Sequence, residues 1–252
     1  MSNFTMHLEQ LKRSFAIAKK NMRIYYSKGM VVILGLMMPF FLFLAFSIGK
    51  NMQIATLIPG LLGMTVFFTA TSVGPAIVPW ETRAKTLERL VSAPIAVWAL
   101  FMGDVLSSFI YGIAISVVPL VIGLIVGVSL VHPLVLGFSM ILGAFCFASF
   151  SILLSVYPPT DIPATVMMLS SLVKFPLVFI SGVFIPIEEM PPLGRTIASF
   201  SPLTYFTDLA KYSMQGTSYY PVAWDLTILL TFTILFLAAA IKLHERSLPK
   251  RL

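Results

Sequence analysis

The sequence has few charged residues and almost no cysteine. Only 11% of its 252 residues are Asp, Glu, Lys or Arg, whereas soluble domains contain about 25%. This shortage excludes an ordinary water-soluble domain, because such a domain needs a charged surface. The one cysteine, Cys146, lies inside an apolar run, so the chain has neither a disulfide framework nor a cysteine-based metal site.

The sequence also lacks the short motifs that carry common chemistries. No GxxxxGK[ST] loop is present, so we expect no nucleotide to bind to this chain. HExxH and GxSxG are absent, and the histidines His7, His132 and His244 are far apart in the sequence. These absences predict no catalytic residue, no metal site and no cofactor in this chain.

Long apolar runs make up most of the sequence, which is 58% hydrophobic. One membrane crossing needs about 20 apolar residues. The runs that meet this length predict spans at residues 30–49, 54–78, 99–128, 134–156, 163–184 and 224–242. The predicted fold class is therefore an all-α integral membrane protein with six transmembrane helices, forming a single domain over residues 1–252.

The second and third runs are longer than one crossing requires. We expect a tilt, an extension beyond the bilayer, or a kink at Pro75 or Pro119. No internal repeat relates the two halves of the chain, which disfavours an inverted-repeat secondary transporter.

Basic residues lie mainly on one side of the predicted spans. That side carries Lys12, Arg13, Lys19, Lys20, Arg23, Lys28, Arg83, Lys85, Arg89, Lys242, Arg246, Lys250 and Arg251. The opposite side carries Lys50, Arg195 and Lys211. The positive-inside rule then predicts that both termini are cytoplasmic. The same pattern assigns the net charge of +7 to membrane topology, so we expect no nucleic-acid partner.

Three segments outside the spans carry distinct patterns. Residues 1–28 have apolar side chains at steps of three and four, which predicts an amphipathic helix along the cytoplasmic interface. This stripe consists of Leu8, Leu11, Phe15, Ala18, Met22 and Tyr25. A soluble amphipathic helix is the alternative.

The second segment, residues 81–93, interrupts the apolar sequence with charge. Leu87, Leu90 and Val91 form a short apolar face, and Glu81 and Lys85 are spaced as an i, i+4 pair. The pattern predicts a short cytoplasmic helix whose charged side is free for a soluble partner. The alternative is a solvated loop that only determines topology.

The third segment, residues 185–223, is rich in proline and follows the fifth predicted span. Residues 193–200 and 203–214 are each long enough for a short helix, and Leu203, Phe206, Leu209 and Ala210 form an apolar stripe. Because backbone at membrane depth must satisfy its own hydrogen bonds, we expect a re-entrant helical hairpin at the outer surface.

Two charged residues, Lys174 and Asp104, lie inside the predicted spans and away from their outermost two residues. Lys174 lies near the middle of the fifth, where an ammonium group is costly. It faces either a pathway or a subunit interface, or it snorkels toward the cytoplasm. Asp104, near the cytoplasmic end of the third span, is an interfacial residue or a proton carrier.

These segments together resemble the permease subunit of type-two ATP-binding cassette (ABC) exporters. The resemblance rests on the amphipathic entry helix, on "TLERLVSAPI" after the second span, and on "SGVFIPIEEMP" and "SPLTYFTDLAK" after the fifth. It extends over essentially the whole chain. The family pattern Glu-Arg-Glu-x-Gly-Thr-Leu-Glu followed by Pro is matched in part, with Lys85 where glycine is usual. The matching residues are Glu81, Thr86, Leu87, Glu88 and Pro94.

The resemblance implies a permease in the cell membrane of a prokaryote, paired with a second permease copy. A separate ABC ATPase subunit would bind ATP and Mg²⁺ and would dock on a coupling helix at residues 81–93. The residues implied for coupling are Glu81, Arg83, Thr86, Leu87, Glu88 and Arg89. Those implied for the path or subunit interface are Lys174, Phe175 and Phe179. Those implied for an extracellular gate are Pro186, Glu188, Glu189 and Tyr205.

The cargo and the functional class retain alternatives. The apolar lining favours a hydrophobic or amphipathic substrate, such as a drug or lipid-like compound, over a lipid-linked polysaccharide or glycolipid. A rival from another class is a self-contained membrane enzyme with Asp104, Asp161 and Lys174 as its polar core. Such an enzyme would be active as the purified chain alone.

Overall fold

The computed structural model describes residues 3–47 and 54–251, and within these ranges the chain forms helices and no β-strand. The helices are α1 (Asn3–Asn21), α2 (Gly29–Ser47), α3 (Ile54–Ala70), α4 (Gly74–Arg83), α5 (Thr86–Ser92), α6 (Val97–Ile125), α7 (Pro133–Leu154), α8 (Pro163–Ile180), α9 (Pro192–Ala198), α10 (Pro202–Gln215) and α11 (Val222–Ser247). A π-helical stretch, Met22–Tyr26, follows α1. Two 3₁₀ turns cover Ile187–Glu189 and Leu248–Lys250.

Among the described residues, five helical stretches are long and apolar enough to cross a membrane. They are Leu57–Arg83, Val97–Ile125, Pro133–Leu154, Pro163–Ile180 and Val222–Ser247. These stretches overlap the second to sixth predicted spans, so the prediction of an all-helical membrane protein is confirmed. The first predicted span, 30–49, overlaps α2, but its last two residues and Lys50 lie outside the described residues.

α7 forms the centre of the bundle and packs against α3, α6, α10 and α11. Aromatic rings fill the space between these helices. The ring of Phe67 on α3 lies 5.1 Å from that of Phe147 on α7, which lies 5.8 Å from that of Phe206 on α10. Both pairs meet edge to face, the arrangement that the ring quadrupole favours.

Glycines on the neighbouring helices allow α10 to enter the bundle. A Cβ on Gly63 of α3 would lie 2.5 Å from the Thr207 methyl group, and one on Gly143 of α7 would overlap the Phe206 ring. The predicted apolar stripe of α10 faces this contact, since Leu203, Phe206, Leu209 and Ala210 have no exposed surface. The two short helices predicted in this segment, at 193–200 and 203–214, correspond to α9 and α10.

The two ends of the bundle consist of different elements. The basic end contains α1, α5 and residues 248–251, which pack around the apolar side chains of Ile17, Leu87, Leu100 and Leu248. The opposite end contains the turn Ile187–Glu189 with α9 and α10. Gly216, with a φ of 74°, ends α10 in a left-handed cap.

The helix predicted in residues 1–28 forms, but only part of its predicted apolar stripe contacts the bundle. Leu8, Leu11 and Phe15 are 46%, 42% and 59% exposed. Ala18 is buried, and Met22 and Tyr25 are half-buried. The packed face also carries Ser14, Ile17 and Asn21, which are buried against α6. The exposed part of the stripe stays available for the predicted contact with a membrane surface.

The second predicted span is interrupted. α3 ends at Ala70, α4 begins at Gly74, and Pro75 occupies the first turn of α4. The kink expected at Pro75 is therefore present. Pro119 lies inside α6, which continues from Val97 to Ile125.

Candidate functional site

The predicted coupling helix, 81–93, is two helices and not one. Glu81 and Arg83 end α4, and α5 covers Thr86–Ser92. Between them Lys85 adopts a left-handed conformation, with φ of 53° and ψ of 24°. A right-handed helix cannot continue through such a residue. Glycine adopts this conformation without steric cost, which accounts for the glycine usual at this place in the pattern that the sequence resembles.

α5 presents an apolar face to the bundle and a charged face outward. Leu87 is 1% exposed, and Leu90 and Val91 pack partly buried beside it. Thr86 is half-buried, and its hydroxyl donates to the Glu81 carbonyl at 3.3 Å. The outward side chains are those of Arg83, Lys85, Glu88 and Arg89. Of the residues proposed for coupling, Leu87 therefore belongs to the core, whereas Arg83, Glu88 and Arg89 are accessible.

Glu81 is buried and forms an ion pair with Lys20 of α1. The predicted i, i+4 pair with Lys85 is wrong, because Lys85 sits in the turn after α4 and is exposed. Glu81 is 2% exposed, and its carboxylate accepts a hydrogen bond from the Lys20 ammonium. Tyr25 stacks on Trp80 beside this pair, with ring centroids 5.1 Å apart. The ion pair connects α1 to the helix that leads into α5.

Hydrogen bonds also join α1 to the start of α6. The Ser14 hydroxyl donates to the Ala99 carbonyl at 2.7 Å, and the Gln10 side-chain oxygen accepts from the Ala96 amide at 2.8 Å. The Asn21 amide donates to the Asp104 carboxylate at 2.6 Å. The Tyr26 and Ser108 hydroxyls are 2.7 Å apart. Sequence reasoning placed Asp104 near the end of a span but missed its partner on α1.

Lys174 lies inside the protein between α8 and the interruption of the second span. It is 7% exposed, and its ammonium donates to the Thr71 carbonyl at 3.2 Å. The neighbouring Phe175 packs against Phe68 of α3, with ring centroids 5.7 Å apart. Phe179 is 47% exposed and stacks with Phe184. Of the three residues proposed for a path or interface, only Phe179 is largely exposed.

The opposite end has a charged rim around a cavity of about 190 Å³. The Glu188 carboxylate accepts a hydrogen bond from the Lys211 ammonium at 2.6 Å. The Arg195 guanidinium donates to the carbonyls of Glu188 and Met190 at 2.7 and 2.9 Å. Burial opposes ionisation of Glu188 and is the largest single effect on its pKa, but the hydrogen bonds from Lys211 and the backbone, with the charges of Lys211 and Arg195, together outweigh it and lower the pKa of that carboxyl. Two cations therefore hold the turn at Ile187–Glu189.

The other residues proposed for an extracellular gate differ in exposure. Pro186 is half-buried and lines the cavity, and Glu189 is exposed. Tyr205 is 4% exposed, and its hydroxyl donates to the Ser199 carbonyl at 2.9 Å. Tyr205 therefore packs α10 against the end of α9, whereas the residues of α10 that line the cavity are Thr207, Asp208, Lys211 and Gln215.

The carboxyl-terminal residues dock on the loop between α7 and α8, a contact that sequence reasoning missed. The Arg251 guanidinium donates to the carbonyls of Ser155 and Val156 at 2.8 and 2.9 Å. The His244 Nε2 lies 2.9 Å from the Ser155 hydroxyl, and its ring stacks on Phe101 of α6 with centroids 4.0 Å apart. These partners are separated by about ninety residues or more along the chain, so no local pattern could reveal them.

The residues of the rival enzyme hypothesis do not share partners. Asp104 accepts from Asn21, Lys174 donates to Thr71, and Asp161 is exposed in the loop before α8. Over residues 3–47 and 54–251, no group of three or more His, Cys, Asp or Glu side chains could hold a metal ion.

Comparison with known proteins identifies the family. Residues 10–215 match the ABC-2 type transporter family, a match that covers most of the chain. The chain belongs to the ABC-2 type transporter family. This ABC-2 permease is 24% identical over 170 residues to the "Probable multidrug ABC transporter permease YbhR" of Escherichia coli strain K12. It is 22% identical over 191 residues to the "Inner membrane transport permease YadH" of the same strain.

The two matches cover different shares of the relatives. The YbhR match spans 67% of the permease described here and 46% of that relative, so the chain covers about half the length of YbhR. The YadH match spans 75% of this permease and 74% of the relative. The permease is thus a multi-pass membrane protein, and the resemblance drawn from its sequence motifs is confirmed.

Proposed function

We propose that this ABC-2 permease forms an export path as a dimer and is driven by a separate ABC ATPase subunit. The observation that carries the proposal is the outward charged face of α5. α5 follows α4 directly, and α4 is packed inside the bundle. A soluble partner that binds and moves α5 would therefore move α4 as well. The partner subunit would bind ATP and Mg²⁺, for which this sequence has no binding loop.

The proposed dimer is supported by the exposed apolar side of α8. This helix packs against α4 and α9, while Met168, Leu172 and Phe179 are 62%, 65% and 47% exposed. A second copy or the lipid bilayer would cover this side. A path between two copies would then be bordered by α8.

The proposed cargo is a hydrophobic or amphipathic compound. The apolar pocket between α2, α3 and α6 supports this choice, since it is lined by Met37, Phe40, Leu61, Thr65, Val118, Pro119 and Ile122. The word "multidrug" in the name of YbhR points the same way. The alternative cargo is a lipid-linked polysaccharide or glycolipid. Efflux of a lipophilic dye from cells that express the complex would disfavour this alternative.

Docking of the ATPase is tested by replacing Glu88, an exposed carboxylate on α5. We expect Glu88→Ala to reduce capture of ATPase chains by the affinity-tagged permease several-fold, because a charged docking contact is lost. The ATPase chains of the source organism, recognised by their phosphate-binding loop, serve as probes.

The matched control for docking is Glu189→Ala, which removes an exposed glutamate at the opposite end. Capture should stay at the level of the unmodified permease in this variant. Equal capture by the Glu88 and Glu189 variants would disprove the docking role of α5. Turnover of a substrate by the purified permease alone would favour the enzyme hypothesis instead.

The proposed orientation places α1, α5 and both termini in the cytoplasm. It is tested with Leu193→Cys, since Leu193 on α9 is 73% exposed and the native Cys146 is fully buried. An impermeant maleimide should label this variant in intact cells and should leave Arg89→Cys on α5 unlabelled until the cells are opened. The reverse pattern would invert the topology.

A further inference from the structure

The interruption between α3 and α4 leaves a backbone carbonyl without its helical donor. In a continuous helix the carbonyl of Thr71 accepts from the amide of residue 75. Residue 75 is proline, which has no N–H. Thr71 has no exposed surface, so water cannot replace the missing donor.

The Lys174 ammonium supplies that donor. It reaches the Thr71 carbonyl at 3.2 Å from α8 and is itself 7% exposed. A buried cation within an apolar span is costly unless it is paired with a polar group. The freed carbonyl and the buried lysine therefore compensate each other.

The other groups around the interruption hold it in close contact with α6 and α7 and with the end of α3. A Cβ on Gly74 would overlap the Ser151 side chain of α7 and would lie 3.1 Å from the Ser108 hydroxyl of α6. The Thr71 hydroxyl donates to the Phe67 carbonyl at 2.7 Å, and the Ser72 hydroxyl to the Thr69 carbonyl at 2.8 Å. These contacts pack residues 71–74, the bend between α3 and α4, closely against α6 and α7.

The bend lies at the start of α4, the helix that precedes α5. α4 extends from Gly74 to Arg83 and is followed by the turn at Lys85, so a force on α5 acts on the bend through α4. α8 packs along α4, and Lys174 bonds to the bend itself.

We propose that Lys174 is a positioning residue that caps the Thr71 carbonyl, holds the bend between α3 and α4, and makes α8 move with α5. The hydrogen bond from Lys174 to Thr71 is argued from the geometry of the structure alone. Its part in coupling rests on the proposed function. Because α8 has the exposed apolar side, this connection would carry the movement of α5 to the proposed dimer interface.

The cap is tested by a double-mutant cycle on the purified permease without any partner. We expect the N–H that Pro75→Ala restores to donate to the Thr71 carbonyl, as it would in a continuous helix. We compare the change in melting temperature that Lys174→Met causes in two backgrounds, the native permease and Pro75→Ala. That change should be less unfavourable in Pro75→Ala by about 2 to 6 °C. The cycle is needed because Lys174→Met alone removes both a costly buried cation and a hydrogen bond, so its sign by itself is ambiguous.

The matched control is Lys211→Met, which removes a lysine at the opposite end. Its effect on the melting temperature should be the same in the native and Pro75→Ala backgrounds, since Lys211 bonds to Glu188. Additive effects of Lys174→Met and Pro75→Ala, within about 1 °C, would overturn the cap.

The coupling part is tested with spin labels on Ser92→Cys in α5, an exposed position outside the proposed docking residues, and Leu172→Cys in α8, in the complex with the captured ATPase. When residue 174 is the native lysine or is replaced in Lys174→Arg, ATP and vanadate should change the label spectra in both α5 and α8. In Lys174→Met they should change the spectrum only in α5. A change at α8 that persists in Lys174→Met would overturn the connection. Absence of any change at α5 would instead contradict the proposed function and would leave the result of the cycle standing.

Discussion

Replacement of Lys20 by methionine is expected to lower the melting temperature of the permease by roughly 6 to 12 °C. The reason is that Glu81, 2% exposed, would lose the cation of its ion pair. Removal of one partner of a buried pair leaves an uncompensated charge and costs about 3 kcal/mol, and a protein of this size loses about 2 to 4 °C for each kcal/mol. Thermal unfolding of the purified permease in detergent measures the shift.

Two further variants identify the cause of this loss. Lys19→Met removes an exposed lysine from the same helix turn and should leave the melting temperature within about 2 °C. Lys20→Met combined with Glu81→Gln should recover part of the stability, because the buried charge is then removed as well. Similar losses for Lys19→Met and Lys20→Met, or no recovery in the double variant, would contradict the role of the pair.

Substitution of Gly103 by alanine is expected to displace α1 from α6. A Cβ at Gly103 would lie 2.6 Å from the Ile17 Cβ and 2.7 Å from the Ser14 carbonyl oxygen. The obstacle includes backbone, which cannot turn away like a long side chain, so α1 must shift. We expect a destabilisation of about 1 to 3 kcal/mol and faster tryptic cleavage within α1, as its hydrogen bonds to α6 weaken.

Gly137→Ala is the matched control for Gly103→Ala. Gly137 also lies in a membrane-crossing helix, but nothing lies within 4 Å of its added Cβ. Its replacement should leave cleavage of α1 unchanged and should raise helix stability slightly, because alanine favours the helix over glycine by about 1 kcal/mol. If both variants are cleaved at the same rate, the close approach at Gly103 does not hold α1.

The helices could be predicted from the sequence because their signals are local. Apolar runs of membrane length predicted spans that overlap α2, α6, α7, α8 and α11, and prolines marked the boundaries of the short helices α9 and α10. The turn within 81–93 was missed, since lysine occupies the left-handed position where glycine would have signalled it.

The candidate site could be predicted only in part. The motif residues identified the charged segment, but which of them are buried depends on the neighbours of α4 and α5. Leu87 was grouped with the docking residues although it belongs to the core, and Glu81 was paired with Lys85 instead of Lys20. The spacing of Leu87, Leu90 and Val91 indicated the apolar face, but it could not indicate the burial of Glu81, because Lys20 is sixty-one residues away along the chain.

The sequence by itself determined that the chain is a helical membrane protein, and its motifs determined the family. Both follow from properties that act within a few turns of chain: hydrophobic length, proline placement and short residue patterns. Only the tertiary structure decided how the buried charges are satisfied, as in the bonds of Lys20 to Glu81, Asn21 to Asp104 and Lys174 to Thr71. Each joins groups more than sixty residues apart, because a buried polar group must find a partner wherever the fold provides one.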